Sequence, residues 1–221
     1  MTTSNSRDFN LDVAEVIEEA YERCGLEMRT GYDAKTARRS LNLMFAEWAN
    51  RGLNLWTVKQ GTITLTQGLA QETLLDDVVD LLDVVLRRNN TDFTVERISR
   101  GDYSTFPNKT TQGRPSQYWF DRQVAPIINL WSVPENSTDQ LVYYYVRRIQ
   151  DADTLVNTTD MPFRFFPCMV AGLAYYISMK RAPERLSMLK SVYEEEFQRA
   201  ADEDSGRTSL KLQPSSSYLR V

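Results

Sequence analysis

The fold is decided by residues 74–88, whose sequence is Leu74-Leu75-Asp76-Asp77-Val78-Val79-Asp80-Leu81-Leu82-Asp83-Val84-Val85-Leu86-Arg87-Arg88, and which lead into the polar corner Asn89-Asn90. The spacing of the leucines and valines fits the apolar stripe of a helix with aspartates opposite, and periodicity alone slightly favours that interpretation. The four valines, however, favour a strand, and an Asn-Asn corner before a second apolar segment, Phe93 to Ile98, is typical of a hairpin. We predict a strand, because the flanking segments also resemble strands, and keep a helix as the alternative.

Two amphipathic helices precede this stretch, and two follow it. We predict helices over residues 10–24 and 34–51, with Asn10 and Asp33 as N-caps. After the middle of the chain, Pro162 and Pro183 begin predicted helices over 162–181 and 183–203. The apolar residues of each helix recur at spacings of three and four, which predicts one buried stripe per helix. The stripes are Val13, Ile17, Ala20, Tyr21 and Cys24; Ala37, Leu41, Met44, Phe45 and Trp48; Phe166, Met169, Val170, Leu173, Ala174 and Ile177; and Leu186, Leu189, Tyr193, Phe197 and Ala200.

Residues 53–150 form the predicted β part, with further strands at 61–66, 118–122, 127–131 and 141–149. The predicted fold class is therefore α+β: a four-helix bundle built from the N- and C-terminal helix pairs, with a mainly antiparallel β part inserted between them. We expect a flexible N-terminus over residues 1–8, a single domain over 9–204, and an extended C-terminal arm over 205–221. Neither a signal peptide nor a membrane span is expected.

The composition argues against catalysis. The chain of 221 residues has a net charge of −4 and no histidine, which removes the commonest general base and metal ligand. No phosphate-binding, dinucleotide-binding or nucleophile-elbow motif is present. Cys24 and Cys168 are predicted to be buried free thiols, and the aspartates between 76 and 83 lack the glycine and closing glutamate of a calcium loop. We predict no catalytic residue, no cofactor and no metal site.

Three arginine pairs are the first candidate contact residues: Arg38-Arg39, Arg87-Arg88 and Arg147-Arg148. The favoured interpretation is ion pairing with the many carboxylates, within or between subunits. The alternative is a basic surface that faces DNA or an acidic partner.

Two further segments are candidates for contact with other chains. Residues 99–117 form a long polar loop, and loops of this length in compact domains are often functional. Its predicted assembly residues are Asn108, Lys109, Arg114 and Pro115. The C-terminal arm ends in an apolar tip after a serine-rich spacer, which is typical of an arm that inserts into a partner. Its predicted contact residues are Leu212, Tyr218, Leu219, Arg220 and Val221.

Several segments resemble a known family. They are Phe9-Asn10-Leu11-Asp12, Ala37-Arg38-Arg39-Ser40-Leu41-Asn42-Leu43, Trp48 through Trp56 with Arg51-Gly52-Leu53-Asn54-Leu55, Arg97-Ile98-Ser99-Arg100, Pro107 through Pro115, and Tyr118 with Asp121-Arg122-Gln123. Over residues 9–205 the pattern resembles the head-to-tail adaptor (connector) proteins of short-tailed bacteriophages, including the tail tubular and tail accessory factor types.

The resemblance implies a dodecameric ring below the phage portal, coaxial with the DNA channel, whose C-terminal arms reach into the portal protein. Its partners would be further copies of itself, the portal, and a downstream tail nozzle or tail fibre protein, with no membrane. The protein would be made in the host cytoplasm and would reside at the head–tail junction of the virion. DNA would pass without sequence-specific binding, which fits the negative net charge.

Two alternatives to this structural role stay open. One is a DNA-binding accessory protein that uses the arginine pairs. The other is a carboxylate-based cell-wall hydrolase, an activity reported for some relatives of the family. Glu194, Glu195 and Glu196 are adjacent on one helix and cannot be assigned as a catalytic pair, so no residue supports the hydrolase.

Overall fold

The computed structural model describes residues 3–52 and 55–204, and the predicted arm over 205–221 lies outside them. The described residues form an α+β protein, as predicted. They contain five α-helices: α1 Val13–Arg23, α2 Gly31–Arg51, α3 Arg100–Thr105, α4 Phe166–Arg181 and α5 Leu186–Asp204. Short 3₁₀ turns at Phe163–Phe165 and Pro183–Arg185 lead into α4 and α5.

Capping boxes set the true starts of the first two helices. Asp12, not Asn10, caps α1: its side chain accepts the backbone N–H of Glu15, and Glu15 accepts the N–H of Asp12. Thr30, not Asp33, caps α2, and Asp33 is its reciprocal partner in the first turn. The predicted N-caps were wrong because the reciprocal pair satisfies two free amide donors, and a single Asn or Asp satisfies only one.

The four long helices share one hydrophobic core, and α4 contacts α1, α2 and α5. Gly172 allows this approach, since a Cβ there would lie closer than 3.0 Å to the Met44 sulfur and the Tyr193 ring. At the same place Trp48 Nε1 donates a hydrogen bond to the Tyr193 hydroxyl at 2.7 Å. Every residue of the predicted stripes is buried except Leu186 and Phe197, which are half-buried. The helical periodicity therefore identified the core faces correctly.

The β part contains ten strands among the described residues. Their bounds are β1 Val58–Thr64, β2 Gln71–Thr73, β3 Val78–Arg88, β4 Thr91–Thr94, β5 Glu96–Arg97, β6 Gln112–Gly113, β7 Gln117–Asp121, β8 Ile127–Trp131, β9 Val133–Pro134 and β10 Gln140–Arg147. One sheet has the order β1-β10-β3-β4 and is antiparallel throughout. The other has the order β2-β8-β7-β5, with only β5 parallel to its neighbour, and β6 pairs with β9 in parallel. Inward-facing residues of both four-stranded sheets form a second hydrophobic core.

Within the ambiguous stretch 74–88, the residues from Val78 to Arg88 form a strand, and the structure explains why the stretch resembled a helix. β3 pairs with β10 in a register that skips Leu82 and Val79, so each of these residues is extra on the β3 side. These two bulges interrupt the alternation of buried and exposed side chains along β3, so that the buried residues are Val78, Leu81, Val84 and Leu86. A spacing of three, produced by bulges, imitates the helical period. Asn89 and Asn90 have φ values of 50° and 60° and close the predicted hairpin to β4.

Side chains from the end of the β part join it to the helices. Ile149 and Ala152, just beyond β10, are buried in the helical core. The Arg147 guanidinium pairs with both carboxylate oxygens of Asp160, which lies before α4, and one of these bonds is 2.8 Å long. Trp56, before β1, contacts Phe165 with ring centroids 4.4 Å apart.

Candidate functional site

The predicted assembly loop over residues 99–117 has more regular structure than the sequence suggested. Ser99 and Asp102 form a capping box that starts α3, with the Ser99 hydroxyl donating to Asp102 at 2.7 Å. Further along, Gln112–Gly113 pair with β9. Ser99 followed by Asp102 was the sequence signal for this helix, and the prediction of an irregular loop missed it.

Aromatic side chains hold the loop against the sheet. Tyr103 packs on Trp119 with centroids 5.7 Å apart, and Phe106 stacks on Trp131 at 4.3 Å with an interplanar angle of 15°. The Trp131 indole also donates a hydrogen bond to the carbonyl of Asn108 at 3.2 Å. Since the contacts come from both strands of the β7–β8 hairpin, the loop has a defined conformation before it meets any partner.

The four predicted assembly residues have different roles. The Asn108 side chain accepts the Thr110 N–H at 2.9 Å, and the Lys109 ammonium donates to carbonyls at the end of α3 at 3.3 and 3.4 Å. The Arg114 guanidinium lies 4.2 Å from the Phe93 ring centroid. These three are exposed, whereas Pro115 is buried and so shapes the loop from beneath. The exposed surface of the loop is therefore polar and cationic.

Arg87 and Arg88 are occupied by carboxylates of the same chain. Arg87 makes a bidentate pair with Asp92 at 2.7 and 2.8 Å, and this hydrogen bonding lowers the pKa of Asp92. Arg88 pairs with buried Asp139 and with Glu135, and hydrogen bonds to both carboxylates raise the pKa of Arg88. These contacts satisfy the guanidinium groups, so their geometry matches the ion-pairing interpretation.

Arg147 and Arg148 are also paired. Burial opposes ionisation of Asp160, yet hydrogen bonds from Arg147 and from the Gln150 N–H outweigh it and lower the pKa of that carboxyl. Arg148 pairs with Asp151 at 3.0 Å on the surface.

The remaining pair, Arg38-Arg39, lies in a cationic surface depression. Arg38 donates to the backbone carbonyl of Asp153, and exposed Arg39 has no ion pair within residues 3–52 and 55–204. The depression has a volume of about 420 Å³, and its lining holds four cations and one carboxylate. We call it the basic cleft, lined by Lys35, Arg38, Arg39, Asn42, Leu43, Ala46, Arg148 and Asp151.

A second depression was not predicted from the sequence. It lies between α1 and α4, has a volume of about 570 Å³, and combines an apolar floor with four glutamates and one arginine. We call it the acidic groove, lined by Phe9, Leu11, Glu15, Glu18, Glu19, Glu22, Arg23, Phe163, Phe166, Pro167 and Val170. Local sequence could not reveal the groove, because Phe163, whose exposed ring borders the glutamates of α1, lies far along the chain; the other exposed ring, Phe9, lies just before α1.

The two buried cysteines of the helical core and the three adjacent glutamates on the surface of α5 are poorly suited to catalysis. Burial raises the pKa of both Cys24 and Cys168, so each is a protonated thiol at neutral pH. Glu194 makes two hydrogen bonds with Arg51, at 2.7 and 2.9 Å, which lower the pKa of this carboxyl and keep it ionised. Glu195 and Glu196 both pair with Arg199. A general acid needs a raised carboxyl pKa, and Glu194 has the opposite shift.

The described residues contain no group of three or more His, Cys, Asp or Glu side chains that could hold a metal ion. None of the helices in that part of the chain is long and apolar enough to cross a membrane.

The described surface thus carries a cationic loop packed on the β7–β8 hairpin, a basic cleft, and an acidic groove with exposed aromatic rings. In a comparison with known families, the chain matches the SU10 adaptor protein family over residues 11–217 and belongs to that family. It is thus a bacteriophage head-tail adaptor, a structural protein of the virion at the head–tail junction. The family implies portal and tail proteins as partners. No curated protein matches the sequence significantly.

Proposed function

We propose that this protein assembles into a dodecameric ring that joins the phage portal to the tail nozzle or tail fibre protein and lines the DNA exit channel. The observation that carries the proposal is the family match, which spans both helix pairs, the β part and most of the C-terminal arm. In this proposal residues 9–204 act as one adaptor domain. The four long helices form a bundle around α4, and the β part presents the assembly loop.

Electrostatics support a channel through which DNA slides. The net charge is −4, and four of the six candidate arginines are neutralised by carboxylates of the same chain. These four paired arginines hold the DNA backbone weakly, since affinity for phosphates increases with the number of free cations in contact.

Mixing the purified chain with the portal of the same phage tests the proposal. We expect native mass spectrometry and electron microscopy to show a ring of adaptor copies on the portal. Deleting residues 212–221 should abolish docking and leave the circular dichroism spectrum unchanged, because the helical core of the described part of the chain is built from residues between 13 and 200. A full-length chain that never binds the portal would contradict the function, and unchanged docking of the truncated chain would contradict the role of the arm.

A second candidate function, DNA binding, is favoured by one observation: Lys35, Arg38 and Arg39 lie together in the basic cleft. Three phosphate contacts predict that affinity for duplex DNA falls about 40-fold between 50 and 200 mM salt. Fluorescence anisotropy with a labelled duplex measures this dependence. Binding that is absent at 50 mM salt, or independent of salt, excludes this function.

A further inference from the structure

The acidic groove and the basic cleft have opposite charges and share no residue. The groove is lined by four glutamates, of which Glu19 pairs with Arg23 at 2.9 Å. Glu18 and Glu22 are exposed and have no ion-pair or hydrogen-bond partner for their side chains within residues 3–52 and 55–204. Two negative charges therefore remain available beside an apolar floor.

The rings that border the groove are unusually exposed for their size. Phe9 is 75% exposed and Phe163 is 77% exposed, although Phe9 also touches Phe166 edge-on with centroids 6.3 Å apart. Apolar rings surrounded by polar residues mark surfaces that other proteins cover.

The basic cleft has matching properties. Lys35, Arg39 and Leu43 follow one another at intervals of four residues and so form one ridge along α2. Leu43 is 56% exposed and stands beside the cations of the cleft. Within the described part of the chain, neither Lys35 nor Arg39 has a carboxylate partner.

Arg39 lies near another cation instead of a carboxylate. Burial lowers the pKa of Lys180, and the charge of Arg39 lowers it further. A carboxylate supplied from outside the chain would relieve this repulsion.

The spacings of the two surfaces also agree. Glu18 and Glu22 are four residues apart on α1, and Lys35 and Arg39 are four residues apart on α2, so each pair spans about 6 Å along its helix. Two ion pairs can then form side by side between two helices.

We propose that the acidic groove of one copy receives the basic cleft of the next copy, with Glu18 and Glu22 facing Lys35 and Arg39 and with Leu43 packed between the rings of Phe9 and Phe163. Since two different surfaces meet, the contact is head-to-tail, and repetition of such a contact closes a ring when the rotation allows it. The inference rests on the proposed ring function and names the surfaces that build the ring.

Paired charge reversals test this contact. The acid-reversed variant carries Glu18→Lys and Glu22→Lys, and the base-reversed variant carries Lys35→Glu and Arg39→Glu. Matched controls make equal charge changes at exposed positions outside both surfaces: Asp76→Lys with Glu96→Lys, and Lys59→Glu with Lys190→Glu.

Sedimentation at several concentrations measures self-association of the free chain. A carbodiimide, which joins Lys to Glu directly, maps contacts in both the free chain and the portal-bound assembly. Mixing isotopically labelled and unlabelled copies identifies the links between chains.

We expect links between Lys35 of one copy and Glu18 or Glu22 of another. Each reversed variant alone should associate about tenfold more weakly than the unaltered chain, and the two controls should not. An equimolar mixture of the two reversed variants should recover association. The acid-reversed variant has a basic groove and a basic cleft, and the base-reversed variant has an acidic groove and an acidic cleft, so every junction in a ring of alternating variants joins opposite charges. Unaltered melting temperatures would confirm that the variants fold.

Absence of these links both in the free chain and on the portal, or failure of the mixture to recover association, overturns the proposed contact. If the chain still docks on the portal in that case, the adaptor function stands and only the assignment of the surfaces is wrong. A chain that forms the links but never binds the portal would instead contradict the proposed function.

Discussion

The Arg147–Asp160 pair offers the sharpest test of how the β part is joined to the helices. Arg147 ends β10 and is 7% exposed, while Asp160, which precedes α4, is 21% exposed. The two side chains form a bidentate pair, and Asp160 also accepts the Gln150 N–H at 3.1 Å. Replacing Asp160 with Asn keeps the shape and removes the charge, so a buried guanidinium is left without its counter-ion.

Removal of one partner of a buried pair costs about 3–5 kcal/mol. Because Asp160 retains some contact with solvent, we expect Asp160→Asn to lower the free energy of unfolding by about 3 kcal/mol. For a chain of this size the melting temperature should fall by about 6–12 °C. Urea denaturation followed by circular dichroism and tryptophan fluorescence measures the change.

The double variant Arg147→Met with Asp160→Asn is the matched control. It removes both charges, and it also removes Arg147 Nε, which is buried without a hydrogen-bond partner. We expect its stability to lie within about 1 kcal/mol of the unaltered chain, because removing both charges of a buried pair leaves no uncompensated charge in the interior. If Asp160→Asn changes stability by less than about 0.5 kcal/mol, or if the double variant is no more stable than Asp160→Asn, the pair does not act as argued.

The same pair predicts a pH dependence. The pKa of Asp160 is lower in the folded chain than in the unfolded chain, so its contribution to stability is present above the unfolded value of about 3.9. That contribution disappears as the pH falls through the lower, folded pKa. The stability lost by the unaltered chain below about pH 4 should therefore exceed the loss in Asp160→Asn, and parallel acid curves would refute the linkage.

Three further predictions follow from other parts of the fold. Gly172→Ala should lower the free energy of unfolding by about 2 kcal/mol, because the added methyl group meets Met44 and Tyr193. In the same urea assay the control Gly31→Ala should change the free energy of unfolding by less than about 0.5 kcal/mol, because no atom lies within 4 Å of a Cβ at that position. Asn90→Gly should stabilise the β3–β4 hairpin by about 0.5 kcal/mol, since glycine adopts the observed φ of 60° without strain, and a lower melting temperature would contradict this. The contrasting control is Asn136→Gly, which should lower the free energy of unfolding by about 1 kcal/mol because the Asn136 side chain accepts two backbone N–H groups. Cys24 and Cys168 should react with a thiol reagent at pH 8 only after urea unfolds the chain, since burial raises both pKa values, and rapid labelling of the folded chain would show that they are accessible.

Local patterns in the sequence determined much of the fold. The three- and four-residue spacings identified the buried faces of α1, α2, α4 and α5, because a helix buries one stripe of its own residues wherever it packs. The Asn89-Asn90 turn was equally predictable, since both residues tolerate positive φ. The residue patterns also resembled the adaptor family to which the chain belongs.

Tertiary structure decided what depends on residues distant in sequence. The bulges at Val79 and Leu82 arise from the register with β10, and that register made β3 a strand despite its helix-like spacing. The carboxylate partner of Arg88 at position 139 could not be found from local spacing. Likewise, the acidic groove exists only because α4 and the 3₁₀ turn before it bring Phe166 and Phe163 beside the glutamates of α1. The buried faces of helices and the tight turns follow from neighbours along the chain, whereas strand register, long-range charge pairs and surface shape follow from tertiary packing.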